Sequence, residues 1–171
     1  MITIVSGLPR SGTSLIMQML QKGGMQILTD NVRKPNEDNL KGYFEYEKVR
    51  ALQRDSSWLG DAEGKAVKII AQLLKYLPSQ FEYKIIFIER NMEEILRSQQ
   101  KMLENLGQKA QSNNTVLANI FQKQIEDTKK WLAAQNNISI VCITHRDAIF
   151  DAQETAKQIN EFLGLNLNEK E

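Results

Sequence analysis

The residues best suited to chemistry stand near the start of the chain. A short β-branched run, Ile2 to Ser6, leads into Gly7-Leu-Pro-Arg-Ser-Gly12-Thr13-Ser14, and a helical composition begins at Thr13. Glycines let backbone N–H groups turn inward, and a helix start adds its dipole, so a strand, turn and helix of this kind cradle an anion. Ser11, Thr13 and Ser14 can donate hydroxyl hydrogen bonds, while Arg10 supplies a permanent charge on a planar fork.

The spacing from Gly7 to Gly12 equals that of a Walker A loop, but Thr13 stands where that loop has its lysine. The lysine of a triphosphate site reaches the β- and γ-phosphates, and the next hydroxyl holds magnesium. Its loss disfavours triphosphate chemistry and fits a ligand with a single phosphate at the helix tip. The third apolar run ends Glu89-Arg90, without an aspartate placed for magnesium. A divergent P-loop small-molecule kinase is therefore the weaker alternative, and no metal is expected.

A second polar group follows that run, in Arg90-Asn91-Met92-Glu93-Glu94-Ile95-Leu96-Arg97-Ser98. Asn91 suits a helix cap, with Glu93 and Glu94 in the first turn where the dipole favours them. Asn91 and Ser98 fall two helical turns apart on one face, so a ligand at the strand end can meet Arg90 and Ser98 together.

The elements that must position these groups alternate along the chain. Short apolar runs at Ile2–Ser6, Val67–Ile70, Lys84–Glu89 and Ile138–Ile143 read as strands. Helical patterns fall over Thr13–Lys22, Glu47–Arg54, Ala71–Tyr76, from Asn91 to Leu106, from Leu117 to Leu132 and over Ala152–Leu163, where Gly164 ends the last. Continuous apolar strands followed by helices imply a parallel sheet covered on both faces. The expected fold is a three-layer α/β/α domain over 1–171, with about four or five mostly parallel strands. Gly107 to Thr115 is polar and linker-like, and reads as a lid.

Composition bounds the partners. The 171 residues are 42% hydrophobic and 25% charged, and 22 Lys and Arg oppose 21 Asp and Glu for a formal charge of +1. Nucleic-acid binding calls for a cationic excess or stripe, so it is not expected. Cys142 is the one cysteine, which excludes a disulfide framework and a zinc cluster; within its apolar run it reads as a small buried hydrophobe. No apolar stretch approaches the ~20 residues that span a bilayer. The expectation is a cytoplasmic, water-soluble protein with no membrane partner and an undetermined oligomeric state.

Pro9-Arg10-Ser11-Gly12-Thr13-Ser14 resembles the 5′-phosphosulfate loop of the sulfotransferases that use 3′-phosphoadenosine 5′-phosphosulfate. Arg90, Asn91, Glu94 and Ser98 match that family's second signature, with Met92 in place of a common proline. Looser likeness extends through Lys41-Gly-Tyr-Phe-Glu45, Lys65-Ala-Val-Lys68, Thr144-His-Arg-Asp147 and Ile159–Gly164. The residues after the last helix, Gly164 to Glu171, do not resemble the basic, glycine-containing loop that many members carry there.

The resemblance implies that the donor is 3′-phosphoadenosine 5′-phosphosulfate and the product 3′,5′-adenosine bisphosphate. Pro9 to Ser14 would hold the 5′ end, Arg90 and Ser98 the 3′-phosphate. Arg10 would neutralise the leaving bisphosphate, with Lys68 as a second cation. Glu45, in a segment flanked by Tyr43, Phe44 and Tyr46, is the first choice for the base that takes the proton of a small acceptor. Glu47 is its rival. His145, at the carboxyl end of the fourth strand where open α/β sheets bind ligands, is the second candidate base. A non-catalytic nucleotide-binding protein of the same fold is the remaining alternative.

Overall fold

A computed structural model describes residues 1–30, 42–108 and 114–168. Four strands form one sheet: β1 (Ile2–Gly7), β2 (Ala66–Lys68), β3 (Tyr83–Glu89) and β4 (Ile138–Thr144). Their order is β2-β1-β3-β4 and every pair is parallel. All six residues of β1 are buried, as an unbroken apolar run in a central strand must be. In register, Gly7 lies opposite Ile88. The loop after β1 and the helix after β3 therefore leave from neighbouring strand tips.

Among the described residues five α-helices accompany the sheet: α1 (Thr13–Lys22), α2 (Met92–Asn105), α3 (Asn114–Ala133), α4 (His145–Phe150) and α5 (Ala152–Leu163). On one face Ile16, Met17 and Leu20 of α1 join Ala148, Ile159 and Leu163 of α4 and α5 over Val5, Ile86 and Ile143. On the other, Leu132 of α3 packs with Trp58, Leu59 and Leu74 over Ile4, Ile85 and Phe87. The chain is a three-layer α/β/α fold with a parallel four-stranded sheet.

Two segments expected as helices, at Glu47 and Ala71, are 3-10 helices over Glu47–Ala51 and Ala71–Tyr76, the tighter form that short pieces adopt. A further 3-10 helix (Ser57–Ala62) and α4 escape sequence reading because six residues are too few for a helical period. The Thr144 hydroxyl starts α4 by accepting from the Asp147 N–H at 3.1 Å. Gly164 ends α5 in the left-handed conformation, φ 66°.

Cys142 is exposed, against the expectation of burial. The cause is its place in the sheet. β4 is an edge strand, and Val141 and Ile143 turn towards the α5 layer while Ile140 and Cys142 point to the opposite face. That face is covered at Ile138 but open at Ile140 and Cys142, so an apolar sequence does not there mean a strand buried on both sides. The central part of the proposed lid, 109–113, and Lys41 lie outside the described residues. No helix among the described residues is long and apolar enough to cross a membrane.

Candidate functional site

The turn after β1 is built to present backbone N–H groups. Gly12 precedes α1 with φ 107°, a conformation that L side chains rarely adopt. The Ser11 N–H is taken by the Leu8 carbonyl at 3.1 Å, which closes the turn. The Leu15 N–H is taken by the Gly12 carbonyl at 2.9 Å, while the Thr13 and Ser14 N–H groups ahead of it have no intrahelical acceptor and carry the positive end of the helix dipole. Arg10 is also left-handed, φ 69°, and this throws its side chain sideways across the strand tips.

There it meets the second motif. Arg10 Nε donates to Ser98 Oγ at 3.0 Å, and Arg90 Nη1 donates to the Arg10 carbonyl at 3.2 Å. Arg90 Nε also donates to Glu94 Oε2 at 2.8 Å, which holds the Glu94 carboxyl below the usual carboxylate range. The Asn91 side chain fixes the start of α2, accepting from the Glu93 and Glu94 N–H groups at 2.9 and 3.3 Å. Groups 80 and 88 positions apart in sequence are thus bonded into one cationic wall.

A cavity of about 490 Å³ opens on this wall. Pro9, Arg10, Gly12, Thr13, Ser14, Arg90 and Ser98 border one part, and Glu45 and Lys68 another. Lys68 closes β2 beside Val5, and its nearly buried Nζ lies 3.9 Å from Glu45 Oε1 and donates to the Tyr43 carbonyl. Arg50 stands 3.6 Å from the other Glu45 oxygen. Phe44, left-handed at φ 51°, turns the backbone between Tyr43 and Glu45, and the Glu45 carbonyl accepts from the Thr29 hydroxyl at 2.8 Å. Tyr43 is buried, and Tyr46 meets Trp58 edge to face at 5.3 Å between centroids, so part of the aromatic cluster is core and part is cavity wall.

Ser11 and His145 stand apart from this cavity. The Ser11 side chain is buried, and its hydroxyl oxygen lies packed close under Gly7, so it is not presented to the front cavity. His145 opens α4, and its imidazole packs against the Cα of Gly12, where a Cβ would overlap it. Burial, and then the Arg90 charge, lower the His145 pKa, with Glu94 acting in the opposite sense. It therefore supports the loop from the side and is not beside Glu45 and Lys68. Glu47, the rival carboxylate, is exposed and its N–H is bonded to Asp30 Oδ2 at 2.5 Å. Gln18, Arg50, Leu73 and Met102 also line the cavity, and no spacing in the sequence marked them.

A parallel α/β domain with an anion loop after its central strand, and a paired Arg and Ser after the next, is a nucleotide-binding architecture of the P-loop class. The family model for the sulfotransferase domain matches residues 2–171, and the chain belongs to that family. None of the curated proteins matches it by sequence. Among solved structures it is similar to mouse sulfotransferase SULT7A1 complexed with PAP, at 18% identity and a TM-score of 0.60, over 98% of this chain and 59% of the mouse protein. It is also similar to the sulfotransferase domain from the curacin biosynthetic pathway, at 14% identity and TM-score 0.58, over 98% of this chain and 75% of that one. A sulfotransferase from Alicyclobacillus acidocaldarius shares 12% identity at TM-score 0.55, over 99% and 84% of the two chains. At these identities the likeness is one of fold, and the chain spans less than two thirds of the mouse protein's length.

Proposed function

We propose that this chain is a sulfotransferase that moves a sulfuryl group from 3′-phosphoadenosine 5′-phosphosulfate to a hydroxyl or amine of a small acceptor. The observation that carries the reading is the bonded contact of the two anion motifs, Arg10 with Ser98 and Arg90 with the Arg10 carbonyl, on one cavity. Two cationic positions on separate strand tips suit a nucleoside phosphorylated at both ends better than a run of phosphates on one loop.

The residues present fit such a donor. The N–H groups at the start of α1, with Thr13 and Ser14, would hold the 5′ end, and Arg90 and Ser98 the 3′-phosphate. When bound, the donor supplies an activated sulfuryl group. Arg10 and Lys68 then bear the positive charge that offsets the negative charge gathering on the leaving bisphosphate. Glu45 takes the acceptor's proton as the new bond to sulfur forms, within reach of an acceptor in the part of the cavity bordered by Tyr46, Ile70 and Leu73. Its pairing with Lys68 and Arg50 orients the carboxylate and also engages it with two cations. That same pairing favours the second reading, a nucleotide-binding protein without turnover.

The test is a thermal-shift titration with 3′,5′-adenosine bisphosphate in the absence of magnesium. A saturable rise in melting temperature is expected by mass action. No rise at millimolar bisphosphate, with a clear rise for magnesium–ATP, overturns the assignment. Binding without sulfate transfer to a broad panel of alcohols, phenols and amines selects the non-catalytic reading.

A further inference from the structure

The two cations at Glu45 stand in different surroundings. Lys68 Nζ, on a side chain only 9% exposed, lies 3.9 Å from Glu45 Oε1. Arg50 Nη2 lies 3.6 Å from Glu45 Oε2, on a side chain that is 76% exposed at the rim of the front cavity. The 3-10 helix Glu47–Ala51 carries Arg50, and its buried Val49 anchors that rim. Tyr46, Ile70 and Leu73 border the same part of the cavity with ring and aliphatic carbon. On the proposed reaction the acceptor oxygen bonds to sulfur, and the bond from sulfur to the bisphosphate oxygen breaks. Its electron pair leaves with the bisphosphate, and the acceptor's proton passes to Glu45. Glu45 is then neutral. Lys68 faces the leaving bisphosphate at that moment, whereas Arg50 loses the carboxylate that balanced it.

We propose that the acceptor is a hydroxylated carboxylate, and that Arg50 selects it. Its hydroxyl lies at Glu45, its carbon frame against Tyr46, Ile70 and Leu73, and its carboxylate on the guanidinium of Arg50. A planar fork with several donors can hold Glu45 on one edge and a second carboxylate on another. The closeness of Arg50 to Glu45 limits the ligand to one whose hydroxyl and carboxylate are a few bonds apart, as in 3-hydroxybenzoate. Such a ligand gives Arg50 a counter-charge when Glu45 is protonated, so the pairing strengthens as the reaction proceeds. The inference rests on the sulfotransfer reading for the role of Glu45, and its binding site is tested without turnover.

The experiment uses the full chain with ¹³C-labelled isoleucine and methionine methyl groups, alone and saturated with 3′,5′-adenosine bisphosphate. Each form is titrated with 3-hydroxybenzoate and with its neutral isostere, 3-hydroxybenzamide. Ile70 reports the acceptor part of the cavity, and Met102 the part beside Arg10. Saturable shifts at Ile70 are expected, with the benzoate bound about threefold to fivefold more tightly, the weight of an exposed ion pair. Arg50→Met should remove that preference and Arg50→Lys should keep part of it. Glu45→Gln imitates the protonated carboxyl and should widen the preference to about tenfold, as Arg50 is then bonded to one carboxylate only. Adding Arg50→Met to Glu45→Gln should cancel it. A preference that survives in this double variant assigns the carboxylate to Lys68 and overturns the proposal. Equal affinities in the parent and in Glu45→Gln, or shifts confined to Met102, overturn it as well. Failure of the bisphosphate to raise the melting temperature is a separate result, which strikes the donor reading and leaves the Ile70 comparison on the unloaded chain to decide this one.

Discussion

Arg10 and His145 show how much a single side chain's direction matters at this site. The left-handed backbone at Arg10 sends its guanidinium to Ser98, so the residue belongs as much to the second motif as to its own loop. On the proposed reaction Glu45→Gln removes the proton acceptor and leaves the nucleotide contacts in place. Turnover should fall by about 10²–10⁴, the usual weight of a general base, with bisphosphate affinity within about twofold of the parent. A variant with undiminished turnover shifts the base elsewhere. His145 makes a separate prediction. Its pKa is lowered in the folded chain by burial first and Arg90 second, so the unfolded chain binds that proton more readily. The stability linked to the neutral imidazole is complete above the ordinary histidine pKa of about 6.5, and is lost as pH falls through the lowered folded value. Denaturant midpoints measured across that window should drop with falling pH, and His145→Gln should flatten the slope. An equal slope in both proteins assigns the pH dependence to other groups.

At the scale of elements, the junction of β1 and α1 carries the most constraint. Gly7 has no room for a side chain, because a Cβ there would lie 2.6 Å from the Ile88 carbonyl. Gly12 combines a left-handed φ of 107° with the His145 imidazole against its Cα. Gly12→Ala should therefore both lower the melting temperature and weaken bisphosphate binding at least tenfold, since the loop and α4 must separate to admit the methyl group. The paired variant Gly12→Ala with His145→Gly relieves the overlap and leaves the φ strain. Partial recovery of stability is expected, and no recovery means that backbone strain alone sets the cost. The same junction explains why the strand and helix after Gly7 were legible beforehand. Apolar β-branched residues, two glycines and a helix-forming run act locally, so each element announces itself. Residues 145–150 do not, because their helix depends on a Thr144 cap and on packing of Ala148 into the α1–α5 layer.

For the molecule as a whole, the sheet order decides what is core and what is surface. β4 runs Ile-Ser-Ile-Val-Cys-Ile-Thr without a charge or proline, yet Ile140 is 40% exposed at the sheet's edge. Such an edge is a template for unwanted pairing. Ile140→Lys should raise the concentration at which the chain stays monodisperse in light scattering without lowering its melting temperature. A large stability loss would show Ile140 to be packed in solution. The sequence by itself determined the α/β class, the limits of most strands and helices, and the two anion motifs, because periodicity, turn residues and caps act over a few neighbouring positions. Only the tertiary structure decided that Arg10 reaches Ser98, that Ser11 is buried under Gly7 while His145 packs beside Gly12, and that Arg50 and Lys68 share Glu45. Those relations span up to 88 positions and depend on strand order and side-chain direction, which local patterns do not encode.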